Sequence, residues 1–227
     1  MIEPGFRHVL AFDCSGASCS AALWAEGRLA AERFAVMERG QAETLMPQIQ
    51  AVMAESGVDF PALEAIATTT GPGSFTGLRL GLAAARGLAL AADRPIVAMT
   101  SFEALLAGLS ADAPLDRPVA IAIDSRRGSV FAQLFGPDHA PLGAPASVEP
   151  ADFDRWLPPG DVLVVADRSA ELPAFLPGRI VQRAAIRAAD IARLAARLGP
   201  VGIGRLAPVP LYLRAPDVTT PKVRNAP

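Results

Sequence analysis

LAFDCSGASCSAALW (Leu10–Trp24) returns 111 positions later as IAIDSRRGSVFAQLF (Ile121–Phe135). The two stretches align without a gap. Ala11, Asp13, Ser18, Ala21 and Leu23 meet Ala122, Asp124, Ser129, Ala132 and Leu134, and Trp24 meets Phe135. Each reads as a short apolar strand, an Asp, a turn of small or polar residues, and a second strand. A unit that occurs twice in one chain points to an internal duplication. Two lobes that open alike would each carry a mixed sheet with helices packed on it, an α/β architecture. The Pro- and Asp-rich stretch from Ser110 to Pro118 reads as a linker. It places an N-terminal lobe at residues 1–111 and a C-terminal lobe at 112–227.

Outward from the first hairpin, Arg28 to Val36 suggests a third strand. Leu45, Ile49, Val52 and Met53 have helical spacing, and Gly57 stops that helix. Ala65 to Thr70 reads as a strand. Gly71-Pro72-Gly73 forces a turn, and Ser74 to Ala92 reads as a long helix. After a strand at Pro95 to Met99, Thr100-Ser101-Phe102-Glu103 is a capping box that opens a helix to Leu109. Beyond Gly136 the pattern thins to a short helix at Pro150 to Leu157, a strand at Asp161 to Ala166 and a helix at Arg187 to Leu198. The polar tail from Ala215 to Pro227 is expected to be poorly ordered.

The 227 residues are 51% hydrophobic and 19% charged, enough to bury a real core. With a formal net charge of −2, the chain as a whole offers no basic field to hold a phosphate backbone unaided. Lys222 is the sole lysine, so a P-loop is excluded. Cys14 and Cys19 make neither a disulfide framework nor a zinc site, and reduced thiols are expected. The histidines are His8 and His139, in no HxxxH or HExxH string. That argues against a metallohydrolase or peptidase, and no GxSxG elbow supports a serine nucleophile. The N-terminus carries no signal segment and no apolar run reaches ~20 residues, so a cytoplasmic chain without a membrane partner is expected.

Two features could carry chemistry. Asp13 and Asp124 each end an apolar strand before a turn. There a carboxylate could hold hydrated Mg²⁺ while turn N–H groups face a phosphate. Equally, each could bond its own turn backbone. The second feature is GPGSFTGLRLG (Gly71–Gly81). After the Gly73 turn, Ser74 or Thr76 could cap the helix, whose start would attract an anion. Gly77 and Gly81 inside a helix each cost ~1 kcal/mol against Ala and need a reason. With Ala84 they line one face, which lets another backbone approach: the chain's own sheet or a second subunit.

GPGSFTGLRLG, with RGLAL after it, resembles the TsaB (YeaZ) family, paralogues of the threonylcarbamoyl transferase TsaD. AFDCSGASCSAALW, QAETLMPQIQ, IAIDSRRGSVFAQLF and PVPLYLR match further landmarks of that family. The resemblance implies the duplicated two-lobe fold of actin-like ATPases and sugar kinases. It implies a non-catalytic scaffold that binds a TsaD-like transferase, joined by a TsaE-like ATPase, with tRNA engaged indirectly through the complex. A homodimer would use the same surface when the transferase is absent. No cofactor is expected on the chain alone; ATP and Mg enter only within the complex. Family precedent puts the interface on the first two long helices, here Glu43, Leu45, Met46, Ile49 and Gln50 with Gly77, Leu78, Gly81 and Ala84. The possible nucleotide or phosphate ligands are Asp13, Gly73, Ser74, Thr76 and Asp124, with no catalytic or metal-binding residue. Where TsaD carries HxxxH, this chain reads ERGQAETLMP. Three departures from the TsaB pattern stand out. Ser129 and Phe131 replace a Glu and a Tyr, Ala166-Asp167-Arg168 replaces a glycine-rich turn, and the first helix lacks a His-Ser or His-Thr step. The competing reading is an actin-like or sugar-kinase-like ATPase using Asp13 and Asp124.

Overall fold

The computed structural model describes residues 5–109, 115–167, 169, 170, 172 and 180–214. Most of the linker (110–114), Arg168 and the tail from Ala215 lie outside the described residues. The first half runs β1 (His8–Asp13), β2 (Ser18–Ala25), β3 (Arg28–Val36), α1 (Gln41–Ser56), β4 (Ala65–Thr69), α2 (Phe75–Ala92), β5 (Ile96–Met99) and α3 (Ser101–Leu109). The second runs β6 (Val119–Asp124), β7 (Val130–Phe135), β8 (Ala146–Val148), α4 (Phe153–Trp156), β9 (Leu163–Asp167), β10 (Ile180–Ala184) and α5 (Ala188–Leu198). The sheets have matching orders, β3-β2-β1-β4-β5 and β8-β7-β6-β9-β10. In each, an antiparallel meander joins two parallel strands. The duplication is therefore structural as well as textual.

The hairpins are not aligned as the sequence suggests. Asp13 faces Ser20, whereas Asp124 faces Val130. The second turn is one residue shorter, so β7 is displaced by one position against the gapless alignment. A one-residue slip sends a side chain to the opposite face. The matches of Ser18, Ala21 and Leu23 with Ser129, Ala132 and Leu134 therefore do not mark equivalent sites.

Alternation along the central strands builds the layers. Leu10 and Phe12 of β1 join a core with Leu45, Ile49 and Val52 of α1 and Ala85 and Ala89 of α2. Val9 and Ala11 point the other way, into a core shared with α3, α5 and Val119, Ile121 and Ile123 of β6. Ala120 and Ala122 face a third core with Phe153, Leu157 and Val164. Both faces of each sheet are buried, which is why β1 and β6 read as continuous apolar runs. α5 is fastened across the lobes. Ser20 Oγ accepts from Ala188 N (3.0 Å), and Arg187 pairs with Glu32 at 2.6 Å.

α2 is long and apolar enough, by length and composition, to cross a membrane. Its stripe Gly77, Leu78, Gly81, Leu82, Ala85 and Ala89 is buried against the chain's own sheet, which accounts for that apolarity. The capping box forms as read. Thr100 N donates to Glu103 Oε2 (2.7 Å), and Glu103 N donates to Thr100 Oγ1 (3.1 Å). Thr100→Ala should cost about 1 kcal/mol of stability, read from urea unfolding.

Candidate functional site

The two Asp residues are held by their own turns. Asp13, 1% exposed, accepts from Ser15 N at 3.1 Å and from Thr69 Oγ1 at 2.5 Å. Burial pushes its carboxyl above the usual range, against the pull of those hydrogen bonds. Asp124 accepts from Arg126 N at 2.7 Å and lies 3.5 Å from Arg126 Nε. Asp167 ties this turn to β9. Its Oδ2 accepts from Asp124 N (3.0 Å), while Oδ1 accepts from the N–H groups of Ser169 and Ala170 (2.8 and 2.7 Å). Among the described residues, no three of His, Cys, Asp and Glu gather where they could hold a metal.

Asp124, with Arg126, Gly128, Ser129 and Ser169, borders an open hollow of about 320 Å³, whereas the space between the first turn and Asp167 is nearly closed. Ser15 to Ser18, Pro72, Ile123, Asp167, Ser169 and Ala184 to Ile186 enclose about 20 Å³. That is room for a water, against the ~300 Å³ or more of a small-molecule site. Asp167 is part of what fills it.

Folding binds a proton at Asp13. Its folded pKa lies above the unfolded value, so stability falls as pH rises from about 4 through the raised value. Asp13→Asn should keep the fold, raise the melting temperature at pH 7 and flatten that acid-side slope. Melting curves from pH 4 to 8 would show it, and a collapsed fold would mean the carboxylate itself is required.

The Gly71–Gly81 segment is fitted against the first hairpin. Ser74 N donates to Ser15 O at 2.6 Å, and a Cβ on Gly73 would sit 2.5 Å from that same oxygen. Of the two candidate caps, Ser74 serves: its Oγ accepts from Gly77 N (3.3 Å), while Thr76 is exposed. A Cβ on Gly77 would collide with the Cys14 carbonyl, and one on Gly81 would lie 3.6 Å from Cys14 Sγ and Thr68 Oγ1. Cys14 Sγ donates to Gly77 O at 3.2 Å. Both thiols are free and buried. Burial, with the charge of Asp13 nearby, pushes the Cys14 thiol far up and that of Cys19 to about 11.

This corrects the interface assignment. The smooth face of Gly77, Leu78 and Gly81 meets the chain's own sheet, and Leu45 and Ile49 are interior. All five are buried within the chain. Ala84 is half-buried, whereas Glu43, Met46 and Gln50 are exposed, with Pro47 and Ala54 beside them on α1. On α2 the outward residues are Thr76, Ala83, Gly87 and Leu90, the last 85% exposed. Gly87 went unnoticed in the sequence. A Cβ there would meet nothing within 4 Å. Among the described residues no contact explains a mid-helix glycine at that position.

A larger cleft opens beside the start of α2. Pro72 to Thr76 form one wall, Ser125 to Arg127 and Phe131 another, and Leu211 to Arg214 a third, around about 550 Å³.

Comparison with known proteins places these features. A family model described as TsaD: tRNA N6-adenosine threonylcarbamoyltransferase matches residues 35–162, more than half of the chain. The tRNA threonylcarbamoyladenosine biosynthesis protein TsaB of Escherichia coli (strain K12) is 35% identical over 123 residues, 54% of this chain and 52% of that protein. YeaZ from Pseudomonas aeruginosa superposes with a TM-score of 0.75 at 28% identity, over 91% of this chain and 100% of the other. The chain belongs to the TsaB/YeaZ family. It spans about half the length of the curated TsaB relatives it matches. The Acidaminococcus fermentans (R)-2-hydroxyglutaryl-CoA dehydratase component A, at 9% identity and a TM-score of 0.50 over 85% of this chain and 97% of that one, shares the fold alone. That fold is the duplicated architecture of actin-like ATPases and sugar kinases, here in its TsaB/YeaZ form. In this TsaB/YeaZ chain α1 contains no histidine.

Proposed function

We propose that this chain is a non-catalytic subunit of tRNA threonylcarbamoyladenosine biosynthesis, docking a TsaD-type transferase on the outer face of α1 and α2. The names of its relatives support the pathway. The observation that carries the role is Gly87. A glycine in the middle of a helix costs ~1 kcal/mol, and among the described residues no neighbour needs its missing Cβ. A helix from another chain would. Met46, Pro47 and Ala54 on α1 and Ala83, Gly87 and Leu90 on α2 supply a surface of small and flexible apolar groups for such a contact, with the Gln50 amide among them. A second copy would use the same face when the transferase is absent, and a TsaE-type ATPase would join the assembled pair.

The burial of Asp13 supports the absence of chemistry on this chain. Asp13 is shut away from water, and only about 20 Å³ lies between its turn and Asp167, so its carboxylate reaches no Mg–nucleotide in this arrangement. ATP and Mg²⁺ are then the business of the complex. The test is co-purification with a TsaD-type transferase, followed by assay of threonylcarbamoyladenosine on tRNA with and without this chain. Turnover of Mg-ATP by the chain alone would favour the ATPase reading.

A further inference from the structure

We propose that the junction between β10 and α5 is a fastened flap over the β1–β2 turn, with Arg187 as its catch, and that releasing the catch opens the space beneath while both sheets stay folded. Ala184, Ala185 and Ile186 form one wall of the nearly closed space of about 20 Å³, and Ser15 to Ser18 form another. The junction follows an edge strand: β10 pairs with β9 at the end of the second sheet. That ladder holds the junction to β9 and not to the β1–β2 turn, which belongs to the other sheet. The groups that draw the two together come immediately after Ile186.

Arg187 reaches back to β3. Its Nε and Nη2 donate to Glu32 Oε1 and Oε2 at 3.2 and 2.6 Å, and its guanidinium lies 4.6 Å from the centroid of the Phe34 ring. A forked, stacked arginine of this kind is a strong and directional contact. Next along the chain, Ala188 N donates to Ser20 Oγ of β2 at 3.0 Å, which fixes the start of α5. Glu32, Phe34 and Ser20 all stand on the first sheet. The Arg187 side chain is nevertheless 44% exposed, so water can replace its partner.

Release is small on the scale of the fold. Among Ala184 to Arg187, Ile186 is the large apolar side chain, 5% exposed and joined to the core that the two sheets share. From Ala188 onward, α5 lies against that same core through Ala188, Ile191, Ala192 and Ala195. The helix therefore stays in place, and the junction is the part able to lift. Segments with few apolar contacts and a polar fastening open at the low end of a protein's range of opening energies. The flap is independent of the subunit role proposed above, because none of its residues belongs to α1 or α2.

The test is hydrogen–deuterium exchange of the full chain, read by mass spectrometry, for the parent, Arg187→Ala and Glu32→Ala. Peptides covering Ser15–Ser18 and Ala184–Arg187 should exchange roughly ten-fold faster in both variants, the factor for losing a charge-assisted contact of ordinary strength. Arg187→Lys keeps the charge without the fork and should give a smaller rise in the same two regions. Cys14 and Cys19 supply the control. Their side chains face the α1–α2 core on the other side of the first sheet, so their reaction with a thiol reagent should keep the parent's rate. The proposal is overturned if both alanine variants exchange like the parent. It is overturned equally if exchange rises over β4 and α1 as well and the thiols react faster, which is a general loss of stability and not the opening of a flap.

Discussion

Gly77→Ala is expected to lower the unfolding free energy by about 3 kcal/mol or more, at the upper end of what overpacking costs. The new Cβ would overlap the Cys14 carbonyl oxygen and come close to Cys14 C and Ser15 Cα. These are backbone atoms, so no rotamer change relieves the clash. α2 would have to lift from the first hairpin. That movement would break the Cys14–Gly77 and Ser74–Ser15 hydrogen bonds and open the core around Leu10, Phe12 and Ala85. Chemical denaturation followed by circular dichroism reads the loss directly. Gly81 is looser: a methyl group there would make ordinary contacts. Gly81→Arg, however, would drive a charge beneath the sheet and should unfold the chain, so it cannot probe a partner surface.

Gly87→Arg should do the opposite. The position is exposed with nothing within 4 Å of its Cβ. Replacing a mid-helix glycine should leave the chain's stability unchanged or raise it by about 0.5–1 kcal/mol. A transferase packed closely on α2 would meet a long charged side chain at the point of nearest approach. Losing such a central contact typically costs 2 kcal/mol or more, so capture of the transferase should weaken about 30-fold. Stability and binding thus move in opposite directions in one variant, a result that a purely structural role for Gly87 does not give.

The strands were legible because both sheet faces are buried, so β1 and β6 had to be apolar throughout. α1 and α3 were legible from their spacing and the Thr100–Glu103 box. The one-residue slip in β7 was not. It depends on the length of the β6–β7 turn, and the turn residues themselves carry no register mark. β8 and β10 are short edge strands, each paired with the strand just before it, and they hold too few alternating positions to stand out from the loops around them. The glycine face shows the same limit more sharply. Spacing put Gly77 and Gly81 on one side of α2, but spacing does not say what lies across from it. The residue on the outer side, Gly87, looked like one more small residue in RGLAL. Asp167 read as a departure from a turn, although its carboxylate ties β6 to β9. The Phe75–Tyr212 stack joins residues far apart in the chain, so no local pattern could announce it.

The most direct measurement is the mass of the complex that elutes when this chain is mixed with a TsaD-type transferase, for the parent and for Gly87→Arg. The parent should elute as a one-to-one pair, and the variant, folded by its melting curve, as separate proteins. A variant that still pairs, or a parent that never does, would contradict an outer α1–α2 face as the working surface of this chain.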